Sequence, residues 1–541
     1  VRLRGAAGRH GARLGRSAPR SDAPNPHPPL PPSPAPPSTS DPALGQALSD
    51  LHLEPGAPRR PPSGSPFGAP PPARAPSRLT RAALARAASV ASGSDSDAGV
   101  VVKKLEEPVV EAAAPADEAA GAAPPAPPAE PVETLPAVPR APNETRLSTA
   151  PLQPSLLDQA VALVYDPGME AHAPPGPHVE RPARVAVLAA LLRSNGMAAR
   201  CRAVAPRAAT DGELLRAHSA DHVRAVDASC PPGAASYDRG DMFYSPGTAS
   251  AARLAAGCVA QAALAVLSGE ARRAFAIVRP PGHHAQCARA QGFCFFNNVA
   301  LAAMAAREAG AARVLVVDFD VHHGDGIQAL TLDRPDIMYV SLHRGGGFYP
   351  GTGHPVEAGT GAAAGRNLNV AWTRGGLGDA EYDAAFDLVV MPAARAFDPD
   401  LVLVAAGFDA AAGDPLGGMA VTPAGFASMT RRLLTLAGGR VTLALEGGYN
   451  VSATAACAAA CVEVLLADRD GGPPPDAPRA RPSRDAAPAI AAAAAAMAPH
   501  WPAALGPLGD AAGFKAAWGD YCAAAKPPRA LRPRAPGAAA A

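Results

Sequence analysis

The sequence predicts an α/β fold with a parallel sheet covered by helices on both faces, and three observations carry that expectation. Short runs of continuous apolar residues recur between about 156 and 468, stretches of helical length rich in Ala and Leu separate several of them, and nearly every apolar run ends in polar, chemistry-bearing residues. Strands buried on both faces read as continuous apolar runs, and parallel neighbours need a crossover that is usually a helix.

In order, the expected strands are VALVYD (161–166), AFAIVRP (274–280), RVLVVDFDV (313–321), IMYVSLH (337–343), LVLVAAGFD (401–409) and VTLALEGGY (441–449). Helical stretches include ASAARLAAGCVAQAALAVLSGEA after the first strand and PAGFASMTRRLLTLAGG before the last. The second run leads into PPGHH, the third contains DFDVHHGDG, the fourth ends in SLHR, the fifth in GFD and the sixth in EGGY. Ligands of open parallel sheets bind beyond the carboxyl ends of the strands, so these ends are expected to converge on one site.

Composition narrows the function classes. The formal charge of the 541-residue chain is +1, so neither a basic surface for nucleic acid nor an acidic tail is indicated. Its eight cysteines are scattered without a CxxC pair, which suits reduced thiols better than a disulfide framework. No apolar stretch of about 18 residues or more lies outside alanine-rich sequence, and no membrane span is expected.

Residues 1–155 are rich in Pro and Ala, as in PNPHPPLPPSPAPPSTS, with few large apolar side chains to offset chain entropy, and are expected to be disordered. Their start, VRLRGAAGRHGARLGRSAPR, has arginines and no acid, like an organellar transit peptide; low-complexity sequence is the alternative. Residues 156–508 are expected to form one α/β domain, with AIAAAAAAMAPHWPAAL docking back on it, and 509–541 to form a flexible tail.

The density of ionisable groups in VVDFDVHHGDG needs an explanation, since buried carboxylates and imidazoles are costly unless paired or metal-bound. Asp320 and His322 form an Asp-x-His pair that would project to one side of an extended strand, and Asp409 in GFD supplies a third ligand. Two carboxylates and an imidazole leave coordination positions open, as a catalytic zinc needs; the alternative is a structural ion-pair cluster. Asp318 and Asp325 remain to accept a ring N–H from His283 and His284, fixing the tautomers. Tyr449, after two glycines, is either a donor to a developing oxyanion or a core tyrosine.

The stretches RPPGHHAQCARAQGFCFFNNVALAA, VVDFDVHHGDGIQAL, SLHRGGGFYPGTG, AGFDAAAGDPLGGM and LALEGGYN resemble the zinc-dependent histone deacetylases, most nearly class II and its plant-type members. The resemblance implies a three-layer arginase–deacetylase fold with a central eight-stranded parallel sheet flanked by helices. It implies Asp320, His322 and Asp409 as zinc ligands, His283 and His284 as the tandem histidines, Asp318 and Asp325 as their partners, and Tyr449 as the catalytic tyrosine. Gly292 and Phe293 match one wall of an acyl-lysine tunnel, and Tyr349 stands where the facing wall usually has Phe. Asp241 matches a residue that grips substrate backbone amides, and Arg184 the arginine at the tunnel's inner end, although Val179 replaces the usual Pro of that motif. A structural potassium is implied at Asp318, Asp320, His322, Ser341 and Leu342. Leu416 occupies the position where polyamine-selective relatives carry Glu.

The expected activity is hydrolysis of N6-acetyl-lysine in histones or other proteins. Rivals are an acetylpolyamine amidohydrolase, a di-manganese enzyme of the arginase kind and a catalytically silent scaffold. Expected partners are acetylated proteins and co-repressor-type proteins, with no sequence-specific nucleic acid and no membrane. The family default compartment is nucleus or cytoplasm, with plastid or mitochondrion the alternative.

Overall fold

A computed structural model describes residues 161–467 and 480–525; the expected disordered region 1–155 and its transit-like start lie outside the described residues. The strands are β1 (Val161–Val164), β2 (Arg202–Ala203), β3 (Tyr237–Arg239), β4 (Met242–Tyr244), β5 (Arg273–Ala276), β6 (Val314–Asp318), β7 (Ile337–Arg344), β8 (Asn367–Trp372), β9 (Leu401–Ala406) and β10 (Val441–Leu445). Eight of them form one sheet in the order β2-β1-β5-β10-β9-β6-β7-β8, and every pairing is parallel. β3 and β4 form a separate antiparallel hairpin.

The pleat divides the core. Leu315 and Val317 of β6 join one apolar cluster, while Val314 and Val316 join the other. The first cluster is closed by α1 (Ala183–Ser194), and the second by α2 (Thr248–Leu267) and α3 (Asn298–Glu308). A short helix, α4 (Asp325–Thr331), follows β6. Further along, α5 (Pro423–Leu433), α6 (Val451–Ala467) and α7 (Ala487–Met497) complete the first face. The α5 start is written locally: Thr422 caps the Gly425 amide and Pro423 takes the first turn, where its missing N–H costs nothing. α2 is long and apolar enough to cross a membrane, but most of its length is buried inside this domain against α3 and β1.

Several expectations need correction; the run expected over 274–280, for one, leaves the sheet at Ala276. The strand carrying DFDV stops at Asp318, so Asp320 and His322 are not on extended chain. Their backbone amides turn back instead: Asp320 N–H donates to Asp318 Oδ1 at 3.1 Å and His322 N–H to Asp320 Oδ1 at 2.9 Å, the local bonding by which aspartate diverts a chain from a sheet ladder. The run ending in GFD likewise leaves the sheet at Ala406, and the one ending in EGGY leaves it at Leu445.

The expected flexible tail is also corrected over 509–525, because α8 (Ala511–Ala524) folds there, while 526–541 lie outside the described residues. Asp510 caps its Gly513 amide at 2.8 Å, Phe514 and Cys522 are buried, and Tyr521 donates to Asp387 at 3.2 Å. Phe514→Ala is expected to cost about 3 kcal/mol, the low end for phenylalanine truncation. Urea unfolding checks this, and an unmoved midpoint would restore the flexible-tail reading.

Candidate active site

The chemistry-bearing loops leave β5, β10, β9 and β6, which are consecutive neighbours in the sheet. Strands lie about 4.8 Å apart, so residues distant in sequence meet over roughly 15 Å. Asp320, His322 and Asp409 come together there, each fully or nearly buried, with one ligand atom apiece all within 4.8 Å of one another. His322 Nδ1 lies 3.0 Å from Asp320 Oδ1 and 3.0 Å from Asp409 Oδ2. Backbone amides occupy the remaining carboxylate oxygens: Gly447 N–H donates to Asp320 Oδ2 at 2.8 Å and Val321 N–H to Asp409 Oδ1 at 2.7 Å. The loops press so close that a Cβ on Gly407 would sit 1.9 Å from Asp320 Oδ2, and one on Gly447 would sit 2.2 Å from Asp409 Oδ2.

The electrostatics of the cluster suit a cation. Burial and the neighbouring Asp320 charge push Asp409 up to about 7. Burial works against Asp320 as well, yet His283 and His322 hold it well below the carboxylate range. Burial alone would lower His322, but the two carboxylates raise it to about 10. Two carboxylates and one imidazole thus share protons that a divalent metal would displace, and they fit one such ion.

The tandem histidines stand on the loop after β5. His283 Nδ1 lies 3.1 Å from Asp318 Oδ2, which also accepts from the Tyr339 hydroxyl at 2.9 Å. His284 Nδ1 lies 2.8 Å from Asp325 Oδ1, whose other oxygen accepts from Gln286 Nε2 at 2.7 Å and from Gln291. The two rings are pushed apart in basicity. Burial opposes charge on His283, but Asp320 and Asp318 outweigh it and hold the ring well above its ordinary value. Burial and the adjacent His283 drive His284 down to about 3, so it stays neutral at pH 7. Its Nε2 has no partner among the described residues.

The remaining predicted residues lie around this cluster. Phe293, at φ 66° after Gly292 at φ 55°, lies edge-on to the Tyr449 ring with centroids 5.7 Å apart. Tyr349 lies edge-on to His284 at 5.1 Å, and Phe348 stacks on His322 at 5.1 Å. Tyr449 is buried, and burial, together with the Asp409 and Asp320 charges, raises its phenol well above the ordinary value despite the nearby Arg184 guanidinium. It is therefore a hydroxyl donor at neutral pH. Arg184 is fully buried, donating to the Gly448 carbonyl at 2.6 Å, to the Glu446 carbonyl and to Glu180 at 3.1 Å, so it braces the backbone on both sides of Gly447. Leu416 is 37% exposed. Ser341 pairs with Asp318 across β6 and β7, beside Leu342, and its hydroxyl lies 2.8 Å from His343 Nδ1. Asp241 sits at the turn of the β3–β4 hairpin and accepts from the Gly292 amide at 2.8 Å.

Four supporting residues escape a reading of motifs. Asp414 accepts from the Tyr449 amide at 2.7 Å and from Leu416 and Gly417, tying two loops together. Glu446 accepts from the Gly282 and His283 amides at 2.6 and 3.1 Å. Glu180 is gripped by both arms of Arg279 at 2.7 and 2.8 Å. Tyr339 orients Asp318 from within an apolar strand; a tyrosine in such a run, obliged to pair its hydroxyl, was the available signal.

Residues 178–465 match the family model described as the histone deacetylase domain. The chain is similar to Histone deacetylase 15 of Arabidopsis thaliana, 47% identical over 295 residues that cover 54% of this chain and 53% of that protein. It is also similar to Polyamine deacetylase HDAC10 of Homo sapiens, 43% identical over 354 residues covering 63% and 52%. The chain thus spans about half the length of these curated relatives. The crystal structure of the HDA15 HD domain matches with a TM-score of 0.61 and 39% identity, covering 68% of this chain and 99% of that one.

Proposed function

The chain belongs to the histone deacetylase family, and on that premise we propose that it hydrolyses N6-acetyl-lysine in proteins, releasing lysine and acetate. The observation that carries this reading is the buried meeting of Asp320, His322 and Asp409 beside His284, whose Nδ1 is held by Asp325 at 2.8 Å. Zinc held by these three would supply Lewis acidity toward the acetyl carbonyl and the attacking water.

The protein's own groups do the rest. His284, oriented through Nδ1 by Asp325, takes a proton from the attacking water at Nε2 and later gives it to the departing lysine amine. His283, held by Asp318 at 3.1 Å, supplies electrostatic support to the developing negative charge. Tyr449 donates its hydroxyl to the oxyanion, with Arg184 and Asp414 fixing the backbone that carries it. Phe293 and Tyr349 line the tunnel for the aliphatic part of the acyl-lysine, and a structural potassium is proposed at Asp318, Asp320, His322, Ser341 and Leu342.

Leu416 supports protein substrates over acetylpolyamines, since it puts an apolar side chain where an acid would attract a cationic amine. Histones and non-histone proteins are both proposed as substrates, co-repressor-type proteins as partners, and nucleus or cytoplasm as the compartment, with plastid or mitochondrion the alternative. The test is Tyr449→Phe. Turnover of an acetyl-lysine peptide is expected to fall about 10²- to 10³-fold, as for loss of one oxyanion donor, with zinc content unchanged. Undiminished turnover would remove the assignment.

A further inference from the structure

Asp241 does more than face the mouth of the site: one of its oxygens joins both walls. Oδ2 accepts from the Gly292 amide at 2.8 Å on one side and from the Tyr349 hydroxyl at 3.2 Å on the other. The hairpin is held to the first wall a second time, through the Phe293 amide on Met242 Sδ at 3.0 Å. The phenol also lies close over Gly292, where a Cβ would meet the Tyr349 hydroxyl at 3.1 Å. Partial burial and the Asp241 charge keep that phenol protonated, so it is a donor. Asp241 Oδ1 has no partner among the described residues.

A carboxylate held by one amide can swing about its χ2 torsion; two donors converging on the same oxygen fix the plane of the group. The second oxygen is then presented at the mouth with its lone pairs free, suited to the backbone N–H of a peptide. A phenylalanine at 349 would keep the apolar wall and lose the second donor. We propose that Tyr349 is a positioning residue which, through Asp241, makes this chain selective for acyl-lysine embedded in a peptide over isolated acyl-amines. The proposal rests on the deacetylase reading above.

The test compares kcat/KM on an acetyl-lysine peptide with kcat/KM on N-pentylacetamide, which carries the acylated side chain without any backbone. Tyr349→Phe is expected to lower this ratio by about 3- to 10-fold, a fraction of a charge-assisted hydrogen bond, with the change in KM for the peptide. Asp241→Ala should lower the ratio at least as far, and the double variant should fall no further than Asp241→Ala alone. A ratio unmoved by Tyr349→Phe but lowered by Asp241→Ala overturns the proposal, as do losses that multiply in the double variant. An unmoved ratio in Asp241→Ala shows that this carboxylate does not read the backbone, and the proposal falls with it. Peptide affinity of the zinc-loaded chain, measured by calorimetry across the same variants, makes the same comparison without turnover. Failure of the deacetylase reading would appear there as retained binding with no product.

Discussion

Asp409→Ala is expected to empty the metal site and lower kcat/KM on an acetyl-lysine peptide by roughly 10³- to 10⁵-fold, the equivalent of several kcal/mol of lost transition-state stabilisation. Asp409 Oδ2 stands against His322, while Oδ1 accepts the Val321 amide. The change therefore removes a ligand and leaves a buried N–H unpaired, a further cost of about 1–3 kcal/mol to folding. Zinc content by elemental analysis and turnover must fall together; a variant that loses turnover but keeps its zinc contradicts the ligand assignment. The same residue sets a pH dependence. With the metal-free carboxyl at about 7 and His322 at about 10, a binding cation competes with protons, so apparent zinc affinity weakens as pH falls through 7.

His284→Ala is expected to cost about 10²- to 10⁴-fold in kcat, the range for a lost general base, while zinc content stays at the level of the unaltered chain. The residue touches no metal-ligand atom by hydrogen bond; its bonded partner is Asp325, itself held by Gln286 and Gln291. Its removal should thus separate proton transfer from metal binding. The matching change at His283 should be milder if that ring acts as fixed positive charge. A His283→Ala variant slower than His284→Ala would exchange the two roles.

Much of this was legible in the chain, and what was not has physical causes. Six of the sheet strands announce themselves because burial on both faces leaves them continuously apolar. β8 does not, since NLNVAW alternates asparagines: Asn367 and Asn369 are buried, and the amide N–H groups of both find a shared acceptor in Gln328 Oε1 at 2.9 Å. β2 and the hairpin strands are two and three residues long, too short to show a period. For the site, residue types and spacing named the metal group and the histidine partners. They could not show that Asp320 and His322 reach it through a chain reversal, or that Asp414 and Glu446 lash neighbouring loops together. Those roles depend on tertiary proximity.

Among the described residues β10 is the last strand in chain order, and it lies between β5 and β9 at the middle of the sheet. Without β10, the β5 and β9 edges that it joins would each be left with bare hydrogen-bonding groups. Such edges invite pairing with other chains. A chain cut short of this strand would keep Asp320, His322 and Asp409 but lose Tyr449 and the Gly447 amide that holds Asp320, and it would carry two bare edges prone to pairing.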